Sequence, residues 1–257
     1  MVKIGKAGKN IFLVLLAALF FLPVFMTVGM SFLDNNMPTF QNYADLLFDC
    51  FVFYPVFWNS VLYAAVITII GLLVIIPAAF GFSHAKFKGK GALFIFYIIL
   101  MMMPLQVTIL PNYIGLRDLG LINTRLGIIL PACFSPFGVV VMSRYMQSIN
   151  NSVIEAMRME TNSVIKIIFH AVIPQIRICI FAVVLFVFAD CWNMLEQPLL
   201  FLRDINLQTL PVFLSNTEKY AGSVLFPAAV LFMFPVLLLY NFFSDSLEKG
   251  LTFGDLS

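Results

Sequence analysis

An all-α integral membrane protein, with six transmembrane helices and both ends in the cytoplasm, is the fold this sequence predicts, on three observations. Of its 257 residues, 61% are hydrophobic and only 11% charged, with a mean hydropathy of +0.99. A soluble domain of that length needs more polar surface to cover its core. Six apolar stretches are long enough to span a bilayer, where about 20 residues are required and no water satisfies the backbone. Finally, Lys and Arg segregate: with the N-terminus inside, eleven of the fifteen fall on the cytoplasmic side and four outside, as the positive-inside rule expects.

The spans follow in order. Lys3, Lys6 and Lys9 precede the first, 11–32. A signal peptide has a shorter apolar core and a small-residue exit, so this run reads as an uncleaved span. The segment 34–56 carries Asp34, Asp45 and Asp49 without a basic residue, as an external loop can. The second span, 57–82, leads to Lys86, Lys88 and Lys90, and the third covers 92–110. Arg117 and Arg125 lie in the next external loop, before the fourth span, 126–143. That stretch is the shortest and is interrupted by Pro131, Ser135 and Pro136, which a tilted or broken helix accommodates. Arg144, Arg158, Lys166 and Arg177 lie on the cytoplasmic side before the fifth span, 176–200; Arg203 and Lys219 are external; the sixth span is 224–243, with Lys249 inside. Pro23, Pro77, Pro104, Pro227 and Pro235 fall within spans, and each removes a backbone donor and favours a kink. No stretch reads as a second, soluble domain, so 1–257 is expected to be a single membrane domain.

Several function classes drop out. A net charge of +2 gives no general case for nucleic acid. Cys50, Cys133, Cys179 and Cys191 form neither a C-x-x-C pair nor a Cys/His ligand spacing. The run from Gly5 to Asn10 has the wrong spacing for a phosphate loop and follows no strand. His84 and His170 read as cytoplasmic surface residues, and no nucleophile, base and orienter occur together.

The stretch 151–174 is the long cytoplasmic segment that does not span. Ser152 and Glu155 have capping-box spacing, which predicts a helix start there and a helix running to Met159 or Glu160. Thr161, Asn162 and Ser163 favour a turn. A second helix follows, with Ile165, Ile168, Phe169 and Val172 on one face, and Pro174 is expected to end it. From periodicity alone these are equally a pair of interfacial helices lying on lipid, with Glu155 acting only as a cap.

The residues themselves resemble the EAA-type motif of bacterial ABC importer permeases. Glu155-Ala156 matches its opening, Arg158 and Glu160 fall where the sugar-importer branch has Arg and an acid, and Ile173-Pro174 matches its close. Met157 replaces the second Ala, Thr161 the usual Gly and Asn162 a usual Ala. Without Gly a positive-φ turn is costlier, so the bend either differs or is carried by Asn162. More of the chain agrees: Pro111-Asn112-Tyr113, Leu119-Gly120-Leu121-Ile122-Asn123-Thr124 with Gly127, Trp192-Asn193, Pro198-Leu199, Thr209-Leu210-Pro211 and Gly250-Leu251-Thr252. The resemblance runs from the second span to the C-terminus and is nearest to permeases of the maltose-type carbohydrate importers.

That resemblance implies the type I ABC importer permease fold, in the cell (plasma or inner) membrane of a bacterium. It implies a second permease, normally a different chain, two cytoplasmic ATPases and an extracytoplasmic solute-binding protein as partners. This chain is then no enzyme and has no cofactor; ATP and Mg²⁺ belong to the ATPases. It also implies that 151–174 couples to an ATPase, through Glu155, Ala156, Met157, Arg158, Glu160 and Thr161. Asp190, Trp192 and Asn193, with Gln106 and Thr108, are candidates for the translocation path, since intramembrane polar groups usually face protein or water. For Asp190 hydrogen bonding between helices is an equal alternative, and for Glu196 a place at the outer interface. The solute expected is a carbohydrate, the alternatives being a glycerol phosphoester importer and a non-transporting scaffold or sensor.

Overall fold

A computed structural model describes residues 6–34, 37–217 and 219–252. Lys3 and Gly5 lie outside these residues, as do the side chains of Lys6, Lys249, Leu251 and Thr252. Thirteen α-helices, one two-stranded hairpin and three short π or 3₁₀ turns make up the described chain. Five helices are long and apolar enough to cross a membrane, or six if one bent pair is a single span. Contacts divide the chain into two compact units, Met1–Tyr54 with Phe213–Pro235, and Pro55–Val212 with Val236–Ser257.

In the first unit, helix α1 (Lys6–Ser31) contains Pro23 and stays helical through it. Strands β1 (Leu33–Asp34) and β2 (Met37–Pro38) form a small antiparallel hairpin. Asn42, in α2 (Gln41–Ala44), closes it by donating to the carbonyls of Ser31 and Leu33, at 3.1 and 3.0 Å. The first part of α13 (Gly222–Thr252) also belongs here.

In the second unit, α3 (Phe53–His84) carries Pro77 without a break. The apolar run 92–110, expected as one span, is instead two helices, α4 (Lys90–Met102) and α5 (Leu105–Asp118), bent by 99°. Pro104 is the cause: it has no N–H to continue α4 and it drives Met103 into an extended conformation, φ −71° and ψ 124°. The run 126–143 also divides, into α6 (Arg125–Ala132) and α7 (Pro136–Met146). Ser135 caps α7, its Oγ accepting from the Gly138 N–H at 3.2 Å, and Pro136 fills the first turn, where no donor is missed.

The run 176–200 ends early. Helix α10 (Ile173–Trp192) stops at Asn193, and the chain turns into α11 (Glu196–Phe201). Helix α7 packs against α4 and α10. The core of this unit is Ile67, Ile75, Ile128, Met142, Met146 and Ile176, all fully buried.

The motif residues of the α5–α6 and α11–α12 loops, where α12 is Leu210–Ser215, prove to be a structural clasp. Asn59 of α3 donates to the carbonyls of Asn206 (2.6 Å) and Gln208 (3.2 Å), Tyr63 donates to that of Leu207 (2.9 Å), and Ser60 Oγ accepts from the Leu210 N–H (2.7 Å). Asn123 adopts φ 61°, the one positive φ at a non-glycine among the described residues. In that conformation its Oδ1 accepts from the Arg203 and Asp204 N–H groups, at 2.8 and 2.9 Å. Thr124 caps α6 by accepting from the Gly127 N–H at 3.2 Å and donates to the Leu121 carbonyl at 2.7 Å.

Candidate functional site

Two regions bring sequence-selected residues together. The first is the segment between α7 and α10. Helix α8 (Asn151–Glu160) is capped by Asn150, whose Oδ1 accepts from the Ser152 N–H at 3.0 Å. The expected capping box is therefore corrected: the helix begins one residue before Ser152, and Asn150 lies close enough to supply the acceptor. Glu155 is left without a capping role and stands exposed.

One face of α8 holds the helix down. Ile154 is 2% exposed and Met157 and Thr161 are half-buried, the spacing of an inner helical stripe. The opposite face carries Glu155, Ala156 and Met159, all exposed, Met159 to 90%. Arg158 and Glu160 flank it, also exposed. Among the described residues the ion pair is Arg117–Asp118, so neither Glu155 nor Glu160 has an ion-pair partner among them.

The bend after α8 needs no left-handed residue. Thr161 is extended at φ −149° and ψ 140°. Its Oγ1 accepts from the Ser163 N–H at 3.2 Å, and Ser163 Oγ accepts in turn from Lys166 N–H at 3.5 Å. Of the two expected alternatives, the bend differs and Asn162 has no positive φ; side-chain acceptors turn the chain where the related motif uses glycine.

Helix α9 (Val164–Ile167) does not end at Pro174 either. It runs through a π turn, Ile168–Val172, straight into α10. A proline clashes with the carbonyl four residues back and leaves it unbonded; the wider π turn absorbs this, with Ile173 N–H donating to Ile168. Gln175 assists by donating from its side chain to the Ala171 carbonyl at 2.8 Å. The inserted residue also rotates the buried face. Ile167, Ile168, Ala171 and Val172 are covered, whereas Ile165 and Phe169, expected on that face, are exposed. Helix α8 packs on this turn.

The second region is a cavity of about 600 Å³ where the α4–α5, α6–α7 and α10–α11 breaks converge. Asp190 and Thr108 line it, together with Phe134, Phe137, Phe186 and Gln197. Thr108 donates to the Leu105 carbonyl at 3.1 Å. Gln197 Oε1 is buried without a hydrogen-bond partner.

The other sequence candidates lie elsewhere. Trp192 is 1% exposed, stacked on Phe188 with centroids 5.8 Å apart and edge-on to Phe57 at 6.2 Å, so it is a core residue. Asn193 is exposed and turns its amide back onto the Ala189 carbonyl at 2.7 Å. Gln106 is exposed and donates to Glu196 Oε1 at 3.2 Å, tying the start of α5 to the start of α11. Gln197 and the three phenylalanines escaped sequence reasoning, because apolar runs hide their own wall residues. The closeness of Phe134 and Phe137 to Ser135-Pro136 was the available signal.

The comparisons agree with this architecture. A family model described as the binding-protein-dependent transport system inner membrane component matches residues 71–253. The arabinooligosaccharides transport system permease protein AraQ of Bacillus subtilis is 26% identical over 97% of this chain and 95% of its own. The sn-glycerol-3-phosphate transport system permease protein UgpE of Brucella abortus is 25% identical over 76% of this chain and 71% of its own. Among solved structures, a chain of a bacterial ABC transporter involved in import of the acidic polysaccharide alginate has the same fold. Its TM-score is 0.81 at 20% identity, over 95% of this chain and 99% of that one.

Proposed function

Since the chain belongs to the family of binding-protein-dependent transport system inner membrane components, we propose that it forms half of the translocation pathway of a bacterial ABC importer for a sugar or oligosaccharide. It is a multi-pass transport subunit of the inner membrane. Residues 1–257 act as one permease domain, with both ends and the segment 151–174 in the cytoplasm, as the distribution of Lys and Arg supports. A second permease completes the pathway, a solute-binding protein delivers the sugar, and two ATPases hold ATP and Mg²⁺.

The observation that carries the reading is the outer face of α8. Among the described residues Glu155 serves no cap and no ion pair, and it stands beside Ala156 and the 90%-exposed Met159 on a helix anchored from its other side. A carboxylate, a small residue permitting close approach and a flexible apolar side chain suit a groove on another protein. Arg158 and Glu160 flank the contact, and Met157 and Thr161 hold the helix against the rest of the permease. ATP acts by favouring the closed ATPase pair, and α8 passes that movement to the spans. Asp190 and Thr108 face the solute path, with the Gln106–Glu196 bond and Asn193 at its rim. A carbohydrate is favoured by the near full-length relative AraQ, and a phosphoester solute is the second reading, favoured by UgpE.

Tagged protein purified from membranes is expected to bring down a second permease and an ATPase. In proteoliposomes the complex takes up a neutral oligosaccharide only with ATP and a solute-binding protein. A single chain that transports alone contradicts the proposal.

A further inference from the structure

We infer that the cavity at the three helix breaks is a site for uncharged or cationic sugars, and that Asp190 makes it reject anionic ones. The inference rests on the reading of this chain as half of a sugar pathway, and it deepens that reading.

Depth comes first. Helix α4 breaks after 13 residues, about 20 Å of rise, while Asp190 lies about 26 Å along α10 from its start at Ile173. In a hydrocarbon core of about 30 Å both points fall inside the membrane. The cavity is therefore bordered by low dielectric, where a carboxylate acts strongly on a ligand when it is ionised.

The lining sets the chemistry. Asp190 contributes a carboxylate, and no Lys, Arg or His lines the cavity. Among the described residues the ion pair is Arg117–Asp118, and Asp190 has no cationic partner among them. Gln197 Oε1 is a second acceptor without a donor, and Thr108 spends its hydrogen on a backbone carbonyl. Asp190 and Gln197 Oε1 can accept from a ligand, while the Gln197 amide nitrogen and the Ser135 hydroxyl, also in the lining, can donate. Sugar hydroxyls are donors, and an amino sugar adds a cation. Phe134, Phe137 and Phe186 supply apolar faces suited to the C–H faces of pyranose or furanose rings. A phosphoester or uronate finds no cation here, and its charge is repelled by Asp190. At about 600 Å³ the space accommodates two or three sugar rings.

Membrane vesicles carrying the full-length protein test this without ATP or a binding protein, so the outcome is independent of whether ATP-driven import occurs. Met194 lines the same cavity, and Met194→Cys on a Cys50→Ser background is the reporter. Cys191 lines the cavity too and is replaced by Ser in the same background; modification of the reporter is followed with a trimethylammonium-ethyl and a sulfonatoethyl methanethiosulfonate, normalised to their rates on a free thiol. The cationic reagent is expected to be favoured by at least about tenfold, and Asp190→Asn to remove that preference. Arabinotriose is expected to slow labelling and trigalacturonate to leave it unchanged. An absent charge preference, a preference that survives Asp190→Asn, or protection by trigalacturonate as strong as by arabinotriose overturns the inference. Thr108→Cys is the second reporter; if neither position reacts in vesicles, the cavity is not an aqueous site and the inference fails.

Discussion

The Glu155→Lys variant inserts into the membrane at the wild-type level and loses solute-stimulated ATP hydrolysis in the assembled importer by about a hundredfold or more. The first half follows from where Glu155 stands. Its side chain is exposed, its helix is capped by Asn150 and anchored by Ile154, and it makes no ion pair among the described residues. Reversing its charge therefore leaves the permease's own packing untouched. The second half follows from the proposed contact. A carboxylate docked against donors in a groove is replaced by a cation facing those donors, which costs several kcal/mol where water is excluded. Glu155→Gln keeps the shape and one acceptor, and is expected to fall between the two. ATPase stimulation and membrane content are read from the same preparation. Wild-type stimulation in the lysine variant would favour the scaffold reading.

The second large effect concerns stability. A Cβ at Gly127 would lie 2.5 Å from the Leu121 carbonyl oxygen, a backbone atom that also accepts from Thr124 Oγ1 at 2.7 Å. Gly127→Ala must displace the α5–α6 loop. Overpacking of this kind costs about 1–3 kcal/mol, and disturbing the Thr124 cap adds about 1 kcal/mol. The unfolding midpoint in detergent is expected to drop on the order of 5 °C or more. Gly138→Ala is the control. Its Cβ would meet Ile75 Cδ1 at 2.6 Å, the end of a flexible side chain that can move aside, so its drop should be less than half as large. Equal losses at both positions would show that the clasp is not what makes Gly127 sensitive.

These residues also show where the sequence was legible. Chain-wide apolarity and the EAA-like residues were enough to reach the membrane class and the importer family, because lipid imposes the same requirement on every span and the motif is local. Pro104 and Ser135-Pro136 marked two breaks, but a missing N–H says nothing about the direction of a bend, and the 99° turn at Met103–Pro104 depends on tertiary packing. Pro174 misled in the opposite sense, since the π turn before it relieves the clash that ends most helices. That same turn shifted the helical phase, so Ile165 and Phe169 were assigned to a face they do not share with Val172. Ser152 had the right spacing for a cap and lost the position to Asn150, whose amide oxygen supplies the acceptor two residues earlier. Trp192 was a path candidate beside Asp190, yet side chains two apart on a helix point to different sides; Asp190 faces the cavity and Trp192 the core.

Accessibility of the outer face of α8 tests the account most directly. Met159→Cys, on a Cys50→Ser background, places one thiol at the most exposed point of that face, to be labelled by a membrane-impermeant reagent in inside-out vesicles. The account predicts protection in native vesicles and rapid labelling once peripheral ATPase subunits are stripped with urea. Labelling at one slow rate before and after stripping, as for a thiol sunk in lipid headgroups, would contradict it.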